Sequence, residues 1–317
     1  MTISVVIPAR NAARTIGRTL ESLARDRQLI CETILVDDGS DDGTGRVAVE
    51  AARGTGVPLR VIAGRFGSAG AARNAGLAAL KGRHVLLLDA DDEMVPGGLR
   101  RLWSTLNADT VARMAVGASV RRTARRPDKI KRPVPFGSDL RQNAQDYLLN
   151  KRLPIAVGSA LFIAEDGDGL RFPESIGLDE DTCYWAALLA RLPTVAISEP
   201  VLFYYLDEDR MNERFVTEPR KLLTGIAREM NRLGAFGIDK AALQWRKAWV
   251  ALRIARQLIM YKEYREAAYI LRMAEAHADF RGSWKVNQYK TRIAAGLGLQ
   301  SIGLRPPDRA RKAGASK

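Results

Sequence analysis

The sequence predicts an α/β protein in which a mostly parallel sheet is flanked by helices and followed by an α-helical C-terminal region. Two patterns carry this expectation. Over residues 4–88, apolar runs of strand length alternate four times with segments of helical or small-residue character, the signature of a parallel sheet assembled from βαβ units. From about residue 217 to 298 the spacing is helical throughout; Trp245, Trp249, Leu252, Ala255 and Ile259 form an apolar stripe, with Arg246, Lys247, Arg253, Arg256 and Lys262 largely off it.

In chain order, residues 4–7 form a hydrophobic strand that Pro8 is expected to close, because proline removes a backbone donor from the ladder. Ile16, Leu20 and Leu23, at i, i+4 and i+7, predict a helix within 12–24. A second strand at 32–36 runs into the polar turn 37–44, followed by a helix around 46–52, a third strand at 59–63 and a small-residue segment at 67–79. The fourth strand, 84–88, organises the rest. It is continuously aliphatic, as strands buried on both faces are, and stops abruptly at Asp89, Asp91, Asp92 and Glu93. In an open α/β sheet the ligand crevice lies outside the carboxyl ends of the strands. Alternation along an extended segment would put Asp89 and Asp91 on one side, where carboxylate oxygens suit Mg²⁺ or Mn²⁺ rather than zinc. Further on, a strand is expected at 114–120, a helix at 138–150 and a small strand at 158–162.

Three segments have two readings each. Asp, Gly and Ser in 37–44 are ordinary turn formers, yet acids at a strand end can also accept a base N–H or ribose hydroxyls. The small residues of 67–77 allow a helix to pack close to the sheet, and equally allow a nucleotide to lie against the helix start with Arg73 on phosphate or base. Residues 121–133, with seven basic side chains and one acid, read as a mobile solvated loop, or as a lid that meets a phosphate-bearing acceptor or the membrane surface.

Composition narrows the chemistry. With Cys31 and Cys183 as its two cysteines, the chain has no disulfide framework or zinc cluster, and both are expected in the core. His84 and His277 poorly supply a histidine base, which leaves the carboxylates as acid–base groups; His84, at the head of the buried strand, is expected to be structural. No apolar run approaches the roughly 18–20 residues that span a bilayer. The amino terminus opens directly as a strand without a signal peptide, so a cytoplasmic protein is expected. Of the net charge of +14, most sits in residues 201–317, with 23 Lys+Arg against 12 Asp+Glu, which suggests a basic module that meets something anionic.

Taken in order, Val5-Val6-Ile7-Pro8-x-x-Asn11, Leu35-Val36-Asp37-Asp38-Gly39-Ser40-x-Asp42-Gly43-Thr44, Ala72-Arg73-Asn74-x-Gly76 and Leu88-Asp89-x-Asp91-Asp92 resemble the nucleotide-binding half of the family 2 inverting glycosyltransferases, which have the GT-A fold. The resemblance is specific over residues 3–93 and looser to about 205. It implies that Pro8, Ala9, Arg10 and Asn11 line the nucleobase pocket and that Asp38, beside Gly39, reads the base, usually uracil. Arg73 with Asn74 would help hold the nucleotide, and Asp89 with Ala90 would lie near the ribose and metal. Asp91 would bind the divalent cation, Mn²⁺ or Mg²⁺, that bridges the diphosphate.

The segment from Pro173 to Trp185 resembles the family's acceptor-side helix start, and there Asp181 falls at the position of the general base, with Glu180 and Asp179 as second choices. Acids opening the apolar helix of Trp185, Leu188 and Leu189 are also what a helix dipole favours. Family members often carry a Tyr-Arg-x-His-like motif near the diphosphate. Here Phe203-Tyr204-Tyr205 runs into Leu206-Asp207-Glu208-Asp209-Arg210, without histidine, so Arg210 is the residue placed to compensate.

The resemblance thus implies a metal-dependent inverting transferase that moves a sugar from a nucleotide-diphosphate donor, expected to be a UDP-sugar, to a saccharide or lipid-linked hydroxyl in cell-envelope or exopolysaccharide synthesis. Its expected parts are a catalytic domain at 1–215, a basic helical module at 216–304 and a disordered basic tail at 305–317. The module either packs on the catalytic domain or docks peripherally on anionic lipid. Nucleic acid is not an expected partner, since the aromatics show no stacking pattern. Two other classes remain. A nucleotidyltransferase would need a Gly-rich phosphate loop where Pro8-Ala9-Arg10-Asn11 stands, and an inert nucleotide- or lipid-binding protein would have no use for acids at all the expected positions.

Overall fold

The computed structural model describes residues 2–124, 126–149, 154–206 and 218–301. The chain divides into two compact units, Met1–Asp207 with Arg232–Ile238, and Glu208–Asn231 with Asp239–Lys317.

The first unit begins with β1 (Ile3–Ala9), α1 (Ile16–Leu23), β2 (Ile30–Asp38), α2 (Thr44–Thr55), β3 (Leu59–Gly64), α3 (Ala69–Leu77) and β4 (His84–Leu87). It continues with β5 (Glu93–Met94), α4 (Gly98–Ala108), β6 (Met114–Thr123), β7 (Arg126–Lys131), α5 (Leu140–Leu148), β8 (Ala160–Ile163), α6 (Glu180–Leu189) and β9 (Thr194–Tyr205). One sheet runs β3-β2-β1-β4-β8-β6-β9-β5, with β7 paired to β6. It is parallel through β3-β2-β1-β4. Beyond that it is mixed: β8 runs antiparallel to β4 and β6, and β9 runs parallel to β6. Val5, Val6, Ile7, Ile34, Leu35, Leu86 and Leu87 are wholly buried, as two-sided burial of aliphatic strands requires.

Pro8 does not close β1. It stays in register with Val36, and Ala9 with Asp37, whereas the ladder to β4 ends at Val6 opposite Leu87. A residue in a parallel ladder directs its N–H to one neighbour, so the missing donor leaves the β2 pairing intact. The β1–β4 ladder therefore stops short of the β1–β2 ladder at the point where the strand order switches direction, the place where an open α/β sheet puts its ligand crevice.

The small residues of α3 bring the helix against its neighbours. A Cβ on Gly76 would collide with Val6, and one on Gly70 with the carbonyl of Pro173. Residues 126–131 are not the loop expected from their charge: they form β7, with Ser119 opposite Lys131, Val120 opposite Ile130 and Arg121 opposite Lys129. Charge and proline are what an edge strand carries to discourage further pairing, so composition alone mimics a loop.

The second unit contains α7 (Pro219–Arg232), α8 (Lys240–Met260), α9 (Tyr264–Glu275) and α10 (Trp284–Ser301). The stripe read along α8 is only part of its buried surface. Ala242, Leu243, Val250, Ile254 and Leu258 are buried as well, and Arg246, expected off the apolar face, is 6% exposed. A helix buried around most of its circumference has no single stripe. Trp245 and Trp249 stack at 5.6 Å and both lie against Phe280. Among the described residues, no helix is long and apolar enough to cross a membrane. The segment 305–317 lies outside the described residues.

Candidate active site

The loops leaving β1 and β2 are laced together at the carboxyl edge of the sheet. Asn11 donates its amide to Ser40 Oγ (2.9 Å) and accepts from the Asp41 amide (3.0 Å). The amide of Ala12 donates to Thr44 Oγ1 (2.8 Å) and that of Ala13 to Asp42 Oδ2 (2.9 Å). Asn11 adopts φ +52° and Gly39 φ +67°, left-handed conformations that Asn tolerates and Gly adopts freely. Pro8 is half-buried, Ala9 is buried, and Arg10 is exposed. Asp38, 7% exposed, accepts with Oδ1 from the amides of Phe66 and Gly67, and so fixes the loop entering α3.

The acids after β4 converge through a turn rather than through strand alternation. The strand ends at Leu87, and the Asp92 amide donates to the Asp89 carbonyl (3.2 Å), curling residues 89–92. One carboxylate oxygen from each of Asp89, Asp91 and Asp92 then lies within 4.8 Å of the others. The turn is anchored from α1: Arg18 Nη2 donates to the Asp91 carbonyl (2.7 Å) and Thr19 Oγ1 to the Ala90 carbonyl (3.0 Å). Asp92 is fully buried; its Oδ1 accepts the Tyr205 amide (2.9 Å) and its Oδ2 has no protein partner. Three hard carboxylates, one with an orphaned buried oxygen, fit a Mg²⁺- or Mn²⁺-sized cation. The residues present thus suit the expected metal, and Asp92 offers a carboxylate oxygen beside those of Asp89 and Asp91.

Burial, followed by the charge of Asp89 and Asp91, pushes the Asp92 carboxyl up to about 9. Its unfolded counterpart ionises near 3.8, so the metal-free fold loses stability as pH rises through that window. Asp92→Asn keeps an acceptor for Tyr205. It should raise the melting temperature of the metal-free protein at pH 8 by ~3–6 °C and change it little at pH 4. Equal shifts at both pH values would contradict the burial cost assigned to Asp92.

Arg73 connects this turn to the acceptor side. Only 5% exposed, its guanidinium bonds Asp89 Oδ1 at 2.8 Å and Glu180 Oε1 at 3.3 Å, with Phe172 5.2 Å from its centre. Burial opposes its charge, but Asp89, Glu180 and Asp181 more than compensate and raise its pKa. The Glu180 carboxyl is raised as well, because burial and Asp181 push it up by more than Arg73 pulls it down. Next to Arg73, Asn74 donates to the Phe172 carbonyl (3.0 Å) and Glu174 (2.8 Å), and accepts from the Phe172 amide (2.8 Å). Those bonds seat the segment that leads into α6. Asp179, buried and at φ +62°, turns the chain into the helix, and Asp181 is half-exposed at its first turn.

The structure thus brings Arg73, Asp89, Glu180 and Asp181 together, with Asp91 and Asp92 on the adjoining turn. His84 stands at the opposite end of β4, buried, its Nδ1 unpartnered. Two contributors were not singled out from the sequence. Tyr204 is half-buried, and desolvation of its hydroxyl, with Asp89, Asp92, Asp181 and Asp91, raises its pKa. Arg18 spans the acid turn and the Tyr205 ring, 4.0 Å from its centroid. The available signal was the Phe203-Tyr204-Tyr205 run itself, at the end of a strand. Arg210, the residue expected to compensate for the missing histidine, lies outside the described residues.

Residues 4–164 match the family model described as Glycosyl transferase family 2. The succinoglycan biosynthesis protein ExoU of Rhizobium meliloti (strain 1021) is 32% identical over 201 residues, 59% of this chain and 57% of that protein. The chain thus spans little more than half of that curated relative. The crystal structure of S. aureus TarS 1-349 in complex with UDP-GlcNAc superposes with a TM-score of 0.64 and 15% identity, over 96% of this chain and 93% of that one. Glucosyl-3-phosphoglycerate synthase from Mycobacterium tuberculosis, solved with Mn²⁺, UDP and glucosyl-3-phosphoglycerate, gives 0.52 at 20% identity, over 75% of this chain and 81% of that one. At these identities the likenesses establish the fold, which is the α/β GT-A type.

Proposed function

Because this chain belongs to glycosyltransferase family 2, we propose that it transfers a sugar from a nucleotide-diphosphate donor, a UDP-sugar, to a hydroxyl of a saccharide or lipid-linked acceptor, with inversion at the anomeric carbon. The observation that carries the reading is the Arg73 guanidinium between Asp89 and Glu180, which seats the acid turn and the start of α6 in one site. The uridine donor is supported by UDP-GlcNAc in TarS and UDP in the mycobacterial synthase. Exopolysaccharide or cell-envelope synthesis is supported by ExoU, and work at the cytoplasmic membrane face, with peripheral contact, accords with a lipid-linked acceptor.

In this mechanism Asp181 removes the proton of the acceptor hydroxyl as that oxygen attacks the anomeric carbon, and the bond to the diphosphate breaks on the opposite face. Asp91 with Asp89, joined by Asp92, would hold Mn²⁺ or Mg²⁺, which supplies countercharge for the departing diphosphate. Arg73 is bonded to Asp89 and fixes Glu180 beside the base. Asp38 and Gly39, with residues 8–11, receive the nucleoside.

Phosphorus and proton NMR of the chain with UDP-sugars, Mn²⁺ and oligosaccharide acceptors test the reaction class. Release of UDP, with an inverted anomeric proton coupling in the product, is the expected result. In a parallel incubation with UTP and a sugar 1-phosphate, formation of a UDP-sugar with release of pyrophosphate would make the chain a nucleotidyltransferase.

A further inference from the structure

Along β6 and β7 the sheet carries basic charge at Arg121, Lys129 and Lys131 that no carboxylate among the described residues neutralises. Residues 121–133 hold seven Lys or Arg and one acid, Asp128. That acid is taken by Arg122, which donates to it at 3.1 Å, donates to Tyr205 Oη at 3.0 Å and stacks 3.7 Å from the Phe203 ring. Arg122, Phe203 and Tyr205 therefore share one face of the sheet. The opposite face is set by register. Tyr204 of β9 pairs with Arg121 of β6, Arg121 pairs with Lys129 of β7, and Lys131 lies two residues on, opposite Ser119. Paired residues put their side chains on the same face, so Tyr204, Arg121, Lys129 and Lys131 form one row.

This row is costly as it stands. Like charges directly opposite destabilise a ladder, and Arg121 faces Lys129. Among the described residues, no ion pair joins Arg121, Lys129 or Lys131 to a carboxylate. Arg121 Nε is buried without a hydrogen-bond partner. The row also starts at the reaction centre, since Tyr204 lies among Asp89, Asp91, Asp92 and Asp181 and the Tyr205 amide holds Asp92. With strands about 4.8 Å apart, Lys129 stands roughly 10 Å from Tyr204.

We propose that the acceptor saccharide is itself anionic, bearing a phosphate within one or two sugar units of the hydroxyl it offers, and that Arg121, Lys129 and Lys131 hold that phosphate. The inference rests on the glycosyl-transfer reading above and names its acceptor class. An arginine fork flanked by two ammonium groups matches a phosphate better than a lone carboxylate. A lipid surface could also meet exposed Lys129, and the vesicle arm of the test separates that source from an acceptor phosphate.

The test uses the full chain saturated with UDP and Mn²⁺, which closes the donor site to other phosphates. Two matched probes, butyl glucoside and glucosyl butyl phosphate, differ by the phosphodiester. The phosphodiester should bind about tenfold tighter at low salt. A Lys129→Glu/Lys131→Glu chain should lose that advantage while its UDP affinity stays unchanged, and Lys129→Gln/Lys131→Gln should show an intermediate loss. Equal affinity for both probes, or a preference that survives charge reversal, overturns the proposal. So does a charge reversal that abolishes binding to phosphatidylglycerol vesicles while the phosphodiester preference persists, which would assign the row to a lipid surface. Wild-type chain that binds no UDP would overturn the glycosyl-transfer reading first and this proposal with it.

Discussion

Asp181→Asn should lower turnover by about 10²–10⁴-fold while leaving UDP affinity nearly unchanged. Three acids at the start of α6 could take a proton from an incoming hydroxyl. Glu180 is bonded to Arg73, and Asp179 is buried in a left-handed turn. Asp181 is half-buried and contributes to the field at both Arg73 and Tyr204, so it lies beside both. The amide side chain preserves shape and removes the base. Steady-state rates with calorimetric UDP binding check both halves, and near-normal turnover would move the base to Glu180, with Glu180→Gln the next variant.

The second large effect is on stability. Arg73→Ala leaves Asp89 and Glu180, 28% and 15% exposed, facing each other's field without their shared cation. Breaking a buried pair by removing one partner costs about 3–5 kcal/mol, a fall in melting temperature on the order of 10 °C. Arg73→Lys should regain part of the stability but little activity, because one ammonium cannot serve two carboxylates as a planar fork does. A drop of under about 2 °C for Arg73→Ala would show that the two acids shed their charge by another route.

The parallel half of the fold was legible because its strands are buried on both faces and its turns carry polar residues at the carboxyl ends, so periodicity and punctuation agree. Asp89, Asp91 and Arg73 were legible for the same reason: each sits where a strand or helix must meet the crevice. What escaped was decided by tertiary contacts. The bond from Arg73 to Glu180 joins residues 107 apart, and no local pattern encodes it. Asp92 escaped because an extended chain would turn it away from Asp89 and Asp91, whereas the chain turns at residues 89–92. β7 was hidden by a composition shared between loops and edge strands. Burial of Arg246 beside the α8 stripe reflects how many neighbours that helix has, which sequence spacing does not state.

Calorimetric titration of the chain with UDP, with and without Mn²⁺, in wild type and Asp91→Asn, decides whether the acid turn binds the donor through a metal. UDP binding should weaken about tenfold or more when either the metal or the Asp91 carboxylate is removed, a cost of at least about 1.4 kcal/mol, with GDP, dTDP and ADP binding more weakly than UDP. UDP binding of equal strength in all four experiments, or none in any of them, would contradict a metal-mediated donor site.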